Sequence, residues 1–129
     1  MGVRSDLADA IAAAVNPTWP GVQIYAHPED VTQVPAIVLV PDSPWAEPAT
    51  FGGTSQVIKW SFQLSLVGHR ADVETTMEMM ESLRPLVVEG IGMLGGKWSN
   101  LGKPDTLTLA GIQVLSATMD IDLLTERAT

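Results

Sequence analysis

Residues 58–66 read IKWSFQLSL, a run in which apolar and polar side chains alternate without a break. Successive side chains of a β-strand point to opposite faces of the sheet, so strict alternation predicts a strand with one core face and one polar face. The apolar positions are Ile58, Trp60, Phe62, Leu64 and Leu66, and the polar positions are Lys59, Ser61, Gln63 and Ser65. This long amphipathic strand is the clearest structural signal in the chain.

Four other stretches predict strands. Residues 36–40 read AIVLV, a continuous apolar run that indicates a strand covered on both faces. Residues 21–25 and 106–109 are typical of short strands, and residues 112–124 alternate like the first strand. Within 112–124 the apolar positions are Leu115, Ala117, Met119, Ile121 and Leu123, and the polar positions are Ser116, Thr118, Asp120 and Asp122.

Two helices complete the predicted fold. Ser5 and Asp6 are suited to begin the first helix, which ends before Pro17. Asp72 caps the second helix, and Pro85 is expected to kink or end it. The order α-β-β-β-α-β-β predicts an α+β fold. We expect one domain, residues 1–129, with a mixed or antiparallel sheet of four to five strands and both helices on one face.

The predicted core follows from the two alternating strands and one side of the second helix. On a helical wheel, Val73, Met77 and Met80 share a side, whereas Met79 lies away from it. We expect the core to contain Trp60, Phe62, Leu64, Met119 and Ile121, covered by Val73, Met77 and Met80.

Two segments are predicted to be long loops. Residues 41–53 contain three prolines and two glycines, and residues 90–103 are rich in glycine. Their aromatic side chains are candidates for interface anchors, since exposed aromatic residues are enriched at protein interfaces. The candidate interface residues are Trp45, Phe51 and Trp98 from these loops, and Met79 from the second helix. Folding back onto their own domain is the alternative.

Composition excludes several classes of protein. The chain has 129 residues, 46% of them hydrophobic and 17% charged, which argues against disorder. The absence of cysteine excludes a disulfide scaffold, thiolate metal sites and thiol catalysis. A net charge of −8 opposes general affinity for DNA or for anionic lipid. Its apolar runs fall far short of the ~20 residues of a membrane span, so we expect a soluble protein.

Signals of catalysis are weak. Residues 90–95 read GIGMLG and match the dinucleotide fingerprint letter for letter, but they follow a predicted helix where the fingerprint requires a strand. His27 and His69 stand apart from any nucleophile motif or metal-ligand spacing. Asp120 and Asp122 share a strand face and could hold a divalent cation, although a solvated polar face explains them as well. We therefore predict no catalytic residue, no cofactor and no metal site.

The chain as a whole resembles a viral family. The resemblance rests on the opening short helix, the strand in VPAIVLVP (34–41), the proline-rich segment, IKWSFQLSLVG (58–68), the helix from Asp72 and the closing AGIQVLSATMDIDLL (110–124). This order of elements is similar to that of the phage tail terminator, or tail completion, proteins and of small minor tail proteins. The similarity spans almost the full chain and lies in pattern, not in a diagnostic motif.

That resemblance implies a structural virion protein and not an enzyme. Members of the family form hexameric rings that cap the tail tube, stop its growth and join it to the head connector. The implied partners are copies of the same chain, the tail tube protein and the head-tail connector protein, with no sequence-specific nucleic acid binding and no membrane. The implied location is the tail or neck of the virion, and the host cytoplasm during assembly.

Alternative functions remain open from the sequence. The chain could be a head-closure or other neck protein, since those proteins are also small and ring-forming. It could instead be a small ferredoxin-like enzyme or ligand-binding domain with a pocket under the Gly90 loop. If a ring forms, we expect Asp120 and Asp122 to line or approach its lumen, where DNA must pass without sticking. On the outer surface, the same residues would simply aid solubility.

Overall fold

The computed structural model describes residues 2–27, 30–31, 33–48, 56–109 and 111–127. These residues form two helices and six strands, which confirms the predicted α+β class. Along the chain the elements are α1 (Val3–Val15), β1 (Gln23–Tyr25), β2 (Ala36–Pro48), β3 (Gln56–His69), α2 (Val73–Met93), β4 (Lys97–Ser99), β5 (Asp105–Leu109) and β6 (Ile112–Arg127). The short strand β4 is an addition to the predicted order.

The six strands form one mixed sheet in the order β1-β2-β3-β6-β4, and β5 pairs with β6 beside this path. β1 runs parallel to β2, whereas the β2–β3, β3–β6, β4–β6 and β5–β6 pairs are antiparallel. β4 and β5 both pair with β6, at residues 120–122 and 112–116 respectively. The long strands β3 and β6 lie side by side at the centre, so the two alternating patterns of the sequence reinforce each other.

Both helices pack on one face of this sheet, called the helix-side face below. The side chains of Phe62, Leu64, Met119 and Ile121 are fully buried there, as predicted. Trp60 is half-buried and packs against the same core, so the predicted register of β3 is confirmed. Phe62 lies opposite Ile121 and Leu64 lies opposite Met119, which aligns the apolar sides of the two strands.

The opposite face, called the outer face, is polar along most of β3 and β6. Near Val67 and Val114 it carries a second, smaller apolar cluster. Ala36 and Val38 join this cluster, while Ile37 and Leu39 point into the main core. The predicted double-sided burial of the AIVLV strand is therefore confirmed.

Helix α1 begins earlier than the sequence predicts. Gly2 is its N-cap and accepts a hydrogen bond from the Asp6 amide at 3.0 Å, so Ser5 lies inside the helix. Leu7, Ile11 and Val15 recur at helical spacing and are all buried, so one side of α1 faces the core.

Helix α2 ends later than predicted, because it continues past Pro85 to Met93. A proline inside a helix costs about 3 kcal/mol. Leu83, Val87 and Ile91 are fully or almost fully buried on either side of it, and each such side chain contributes about 1.5–3 kcal/mol. Packing therefore outweighs the local penalty. Half of the predicted 90–103 loop is instead the end of α2 and strand β4.

The buried side of α2 also differs from the prediction. Met80 is buried as expected, but Val73 and Met77 are 50% and 41% exposed. α2 packs closely on α1 at Gly90, where an added Cβ would stand 2.6 Å from the Cα of Ile11. This close approach sets the rotation of α2 about its own axis. The helical wheel of α2 takes no account of α1, so it does not predict this rotation. The buried residues of α2 are Thr76, Met80, Leu83, Val87, Gly90 and Ile91.

The predicted loop 41–53 is a strand over residues 41–48, where β2 pairs with β3. The pairing shifts between Pro41 and Ala46, opposite Phe62 and Trp60, so four β2 residues bulge out against one on β3. Prolines are tolerated because β2 is here an edge strand, which needs no amide donor on its open side. Residues 49–53, including Phe51, lie outside the described residues.

Candidate assembly surfaces

The outer face carries a ladder of short polar side chains across β3 and β6. The Ser61 hydroxyl donates to Oδ1 of Asp122 at 3.0 Å, and the hydroxyls of Ser65 and Thr118 lie 2.9 Å apart. Asp120 is exposed on the same face, opposite Gln63. The side chains of these cross-strand pairs hydrogen-bond to each other, so the face is polar without being strongly charged along its length.

Two cations border this ladder, where the sequence pattern indicated one. Lys59 forms a salt bridge with Glu47 of β2 at 3.4 Å. Lys97 of β4 lies directly opposite Asp122, which puts it on the same face. The sequence does not indicate this second cation, because its pattern predicts a loop at residues 90–103 and so gives Lys97 no place in the sheet. Among the described residues no three acidic or histidine side chains come together as a metal site.

At one end of the sheet the aromatic residues form a small cluster. The rings of Trp45 and Trp60 meet edge to face, with centroids 5.6 Å apart and planes at 67°. The Trp60 indole donates to the Thr125 hydroxyl at 2.8 Å. Trp45 remains 48% exposed, so this candidate anchor offers an aromatic surface to another molecule.

The other two candidate anchors within the described residues lie against their own domain. Trp98 of β4 is half-buried on the core, and the guanidinium carbon of Arg84 stands 5.5 Å from its ring centroid. Met79 is half-buried against the core as well, beside Gly68, and not away from the apolar side as the helical wheel indicated. Contact of either residue with a partner stays a prediction.

A cavity of about 380 Å³ opens beside Met79, between α2 and the end of β3. Trp19, Pro35 and His69 contribute to its walls. The Trp19 indole nitrogen is buried, and no described residue accepts its hydrogen. Sequence reasoning missed this cavity, because Trp19 comes from the connection after α1 and meets α2 only in the folded chain.

The glycine run that resembles a dinucleotide fingerprint ends α2. Gly95 adopts φ +74°, its amide donates to Gly92 at 3.0 Å, and the Gly96 amide donates to Ile91 at 3.0 Å. This is a glycine-terminated helix end, which presents carbonyl oxygens and the negative end of the helix dipole. Phosphate binding needs the opposite end of a helix, so the run does not fit a nucleotide site.

At the start of α2, Asp72 acts as the predicted cap. Its carboxylate accepts hydrogen bonds from the Thr75 amide at 3.1 Å and the Thr75 hydroxyl at 2.8 Å. These bonds, with that from the amide the larger cause, lower the pKa of Asp72 below its ordinary value. The lowered pKa thus has a structural explanation.

Exposed apolar side chains lie at two opposite ends of the molecule. The proximal end is formed by the starts of α2 and β6 and by β5, and the distal end by the ends of α2 and β6 and by residues 41–48 of β2. Among the described residues, the large exposed apolar side chains are Val73, Met77, Leu107 and Ile112 at the proximal end and Trp45, Met93, Leu94 and Leu124 at the distal end. In the described part of the chain, no helix is long and apolar enough to span a bilayer.

Comparison with known proteins identifies a fold but no family. No protein-family model matches the sequence, and no curated protein matches it. The fold is similar to that of a chain in a solved structure described as the virion of a native gene transfer agent particle. That alignment has a TM-score of 0.50 and 13% sequence identity, and it covers 95% of each chain.

Proposed function

We propose that this chain is a structural virion protein that caps a phage tail tube and joins it to the head connector as an oligomeric ring. The observation that carries the proposal is the similarity of fold to a chain of a virion particle over 95% of both chains. The order of elements, which resembles that of the tail terminator proteins, supports the narrower role of capping the tube.

The surface of the molecule is also suited to assembly. Monomeric proteins rarely leave several large apolar side chains exposed together, and such patches usually mark contacts with other molecules. The large apolar side chains that are exposed in the described part of this chain fall at its two opposite ends. A subunit with contact surfaces at both ends can join two neighbours, which is what a ring requires.

In the proposed ring, Asp120 and Asp122 line or approach the lumen. The outer face that carries them is polar and hydroxyl-rich. Its cations lie at the borders, with Lys59 paired with Glu47 and Lys97 opposite Asp122. A lumen without dense positive charge lets DNA pass without binding. Repeating the two aspartates around a ring brings like charges close together, so assembly is expected to depend on salt or Mg²⁺.

Sedimentation of the wild type and of the Asp120→Asn/Asp122→Asn double variant, each with and without Mg²⁺, tests this arrangement. The wild type should assemble more readily with Mg²⁺, whereas the variant should assemble equally well in both buffers. Identical oligomers in all four samples would exclude a role for cations in assembly.

Deletion of the gene from the genome that produces the particles tests the proposed function itself. Electron microscopy should show tail tubes of uncontrolled length and heads without tails, and both should revert when the gene is supplied in trans. Tubes of normal length that fail to join heads would instead identify a head-closure or neck protein. Normal particles would exclude both roles.

Light scattering after size-exclusion chromatography gives a simpler first test. We expect an oligomer whose mass is about six times the 13.8 kDa of the chain. A strict monomer at all concentrations and salt conditions, with or without the purified tail tube protein, would contradict the ring.

A further inference from the structure

The cavity between α2 and the end of β3, called the Trp19 cavity below, plays no part in the proposed ring. Its volume of about 380 Å³ falls in the range of ligand pockets, roughly 300–1,000 Å³. Its wall is mostly apolar and includes Trp19, Pro35 and Met79. The rim on α2 is formed by exposed residues, which are Thr75, Glu78 and Ser82. The cavity can therefore take up an apolar side chain that comes from outside the molecule.

Trp19 brings an unpaired hydrogen-bond donor to this wall. Its indole nitrogen is buried, and no described residue accepts its hydrogen. Buried donors in native proteins are nearly always paired, so this one invites an acceptor from another molecule. A peptide carbonyl is such an acceptor, and a small turn of the indole can bring the N–H toward it. An occupant that combines an apolar side chain with a main-chain carbonyl, as a peptide segment does, suits both features.

The rim of the Trp19 cavity belongs to an acidic ridge on α2. All the glutamates of this helix lie within about 80° of one another on a helical wheel, and all are exposed. The ridge consists of Glu74, Glu78, Glu81 and Glu89. The one basic residue of α2, Arg84, stands over the Trp98 ring instead.

No cation of the described chain neutralises this ridge. The salt bridge among the described residues joins Lys59 to Glu47, on the outer face. Glu74 and Glu78 are four residues apart, a spacing at which like charges on a helix repel each other. A cationic partner would remove this repulsion, so the ridge is complementary to positive charge.

We propose that the Trp19 cavity and the acidic ridge together bind a segment of another protein in which an apolar side chain is flanked by Lys or Arg. The apolar side chain enters the cavity, and the flanking cations lie along the ridge. This surface is on the helix-side face, opposite the outer face that carries Asp120 and Asp122. The proposal therefore adds a docking surface to the molecule and does not depend on the ring.

Other occupants fit these features less well. A second copy carries the same ridge and the same net charge of −8, so its approach brings like charges together. Nucleic acid and anionic lipid are repelled by the ridge for the same reason. An uncharged small molecule would fill the cavity but leave the ridge without a partner.

Fluorescence anisotropy with a labelled peptide tests the proposal. The probe peptide has one leucine between two Lys-Arg pairs, and two matched peptides replace the leucine by serine or all four basic residues by glutamate. The leucine peptide should bind about tenfold or more tightly than the serine peptide, because burial of the leucine side chain is lost in the latter. The glutamate peptide should not bind, and added salt should weaken binding of the leucine peptide.

Variants of the protein locate the binding surface. Glu78→Gln should weaken binding of the leucine peptide by about two- to fivefold. Asp120→Asn removes the same charge from the outer face and should leave the affinity unchanged. Ser82→Phe places a ring at the exposed rim of the cavity, and should abolish the preference for leucine over serine. Trp19→Phe keeps an aromatic wall but removes the N–H, and should weaken binding by about two- to tenfold.

The outcomes separate this docking surface from the proposed function. Equal binding of the leucine and serine peptides, or equal weakening by Glu78→Gln and Asp120→Asn, overturns the proposal and leaves the ring in place. Equally tight binding of uncharged N-acetyl-leucine amide would assign the cavity to a small molecule. An oligomer that saturating leucine peptide dissociates would assign it to a second copy. Both results overturn the docking of a basic segment. Normal particles after gene deletion would overturn the proposed function and leave the peptide results unaffected.

Discussion

The proximal and distal halves of the sheet are built from the same strands but buried very differently. Around Val67 and Val114 the sheet is covered on both faces, by the helices on one side and by a small apolar cluster on the other. At the distal end, Trp60 is only half-buried, Trp45 is exposed, and the outer face is polar. The distal half is therefore buried on the helix side alone, and its outer face and Trp45 are available for contacts between molecules.

The largest effect is expected from Phe62→Ala, in the fully buried part of β3. The cavity and the lost apolar contact should lower the free energy of unfolding by about 3–5 kcal/mol. Trp45→Ala is the matched aromatic truncation at the distal end and should change stability by less than about 1 kcal/mol while weakening assembly. Urea denaturation and light scattering measure the two effects. Equal destabilisation by the two variants would remove the distinction between the buried helix-side core and the exposed distal aromatic residue.

A smaller effect is expected where the two helices touch. Gly90→Ala places a methyl group against the α1 backbone and should cost about 1–3 kcal/mol. Gly92→Ala is the matched control, because no atom lies within 4 Å of the added carbon. It should stabilise the helix by about 0.5–1 kcal/mol. Thermal unfolding of both variants measures these changes in stability. If Gly90→Ala left the stability unchanged, the two helices would not be in close contact.

The distal aromatic cluster is expected to contribute less again. Trp60→Phe and Thr125→Val each remove the indole–hydroxyl hydrogen bond, which should be worth about 0.5–1.5 kcal/mol. A double-mutant cycle isolates that bond from the change in ring size. Strict additivity of the two substitutions would mean that the bond contributes nothing in solution.

The smallest effect concerns the Asp72 cap at the proximal end. Its pKa is lowered in the folded protein, so its contribution to stability is fully present above the ordinary value of 3.8 and is lost as the pH falls through the lowered pKa. Asp72→Asn keeps a capping oxygen but carries no charge. The wild type should be the more stable at neutral pH, and the difference should vanish under acid conditions. Denaturation curves measured across that pH range test this. A stability difference that does not change with pH would contradict the contribution of the Asp72 charge.

Sequence patterns predicted much of the fold and less of the surface. The alternation in β3 and β6 was sufficient to identify the residues of the core, because a strand's two faces follow directly from its backbone geometry. The candidate anchors Trp45 and Trp98 were not distinguishable by sequence, since each is an aromatic residue in a segment rich in proline or glycine. Only the fold separates them, leaving Trp45 exposed and packing Trp98 beneath Arg84.

The sequence by itself determined the features that depend on neighbouring residues. These are the class of fold, the amphipathic strands β3 and β6, the AIVLV strand that is buried on both faces, and the Asp72 cap. The tertiary structure decided the features that depend on distant partners. The proline-rich segment is a strand because it pairs with β3, and β4 is a strand because it pairs with β6. Packing against α1 determines which side of α2 is buried and stabilises the part of the helix that follows Pro85. Local patterns record the geometry of one element, whereas these choices depend on contacts between residues far apart in the chain, whose burial outweighs local preference.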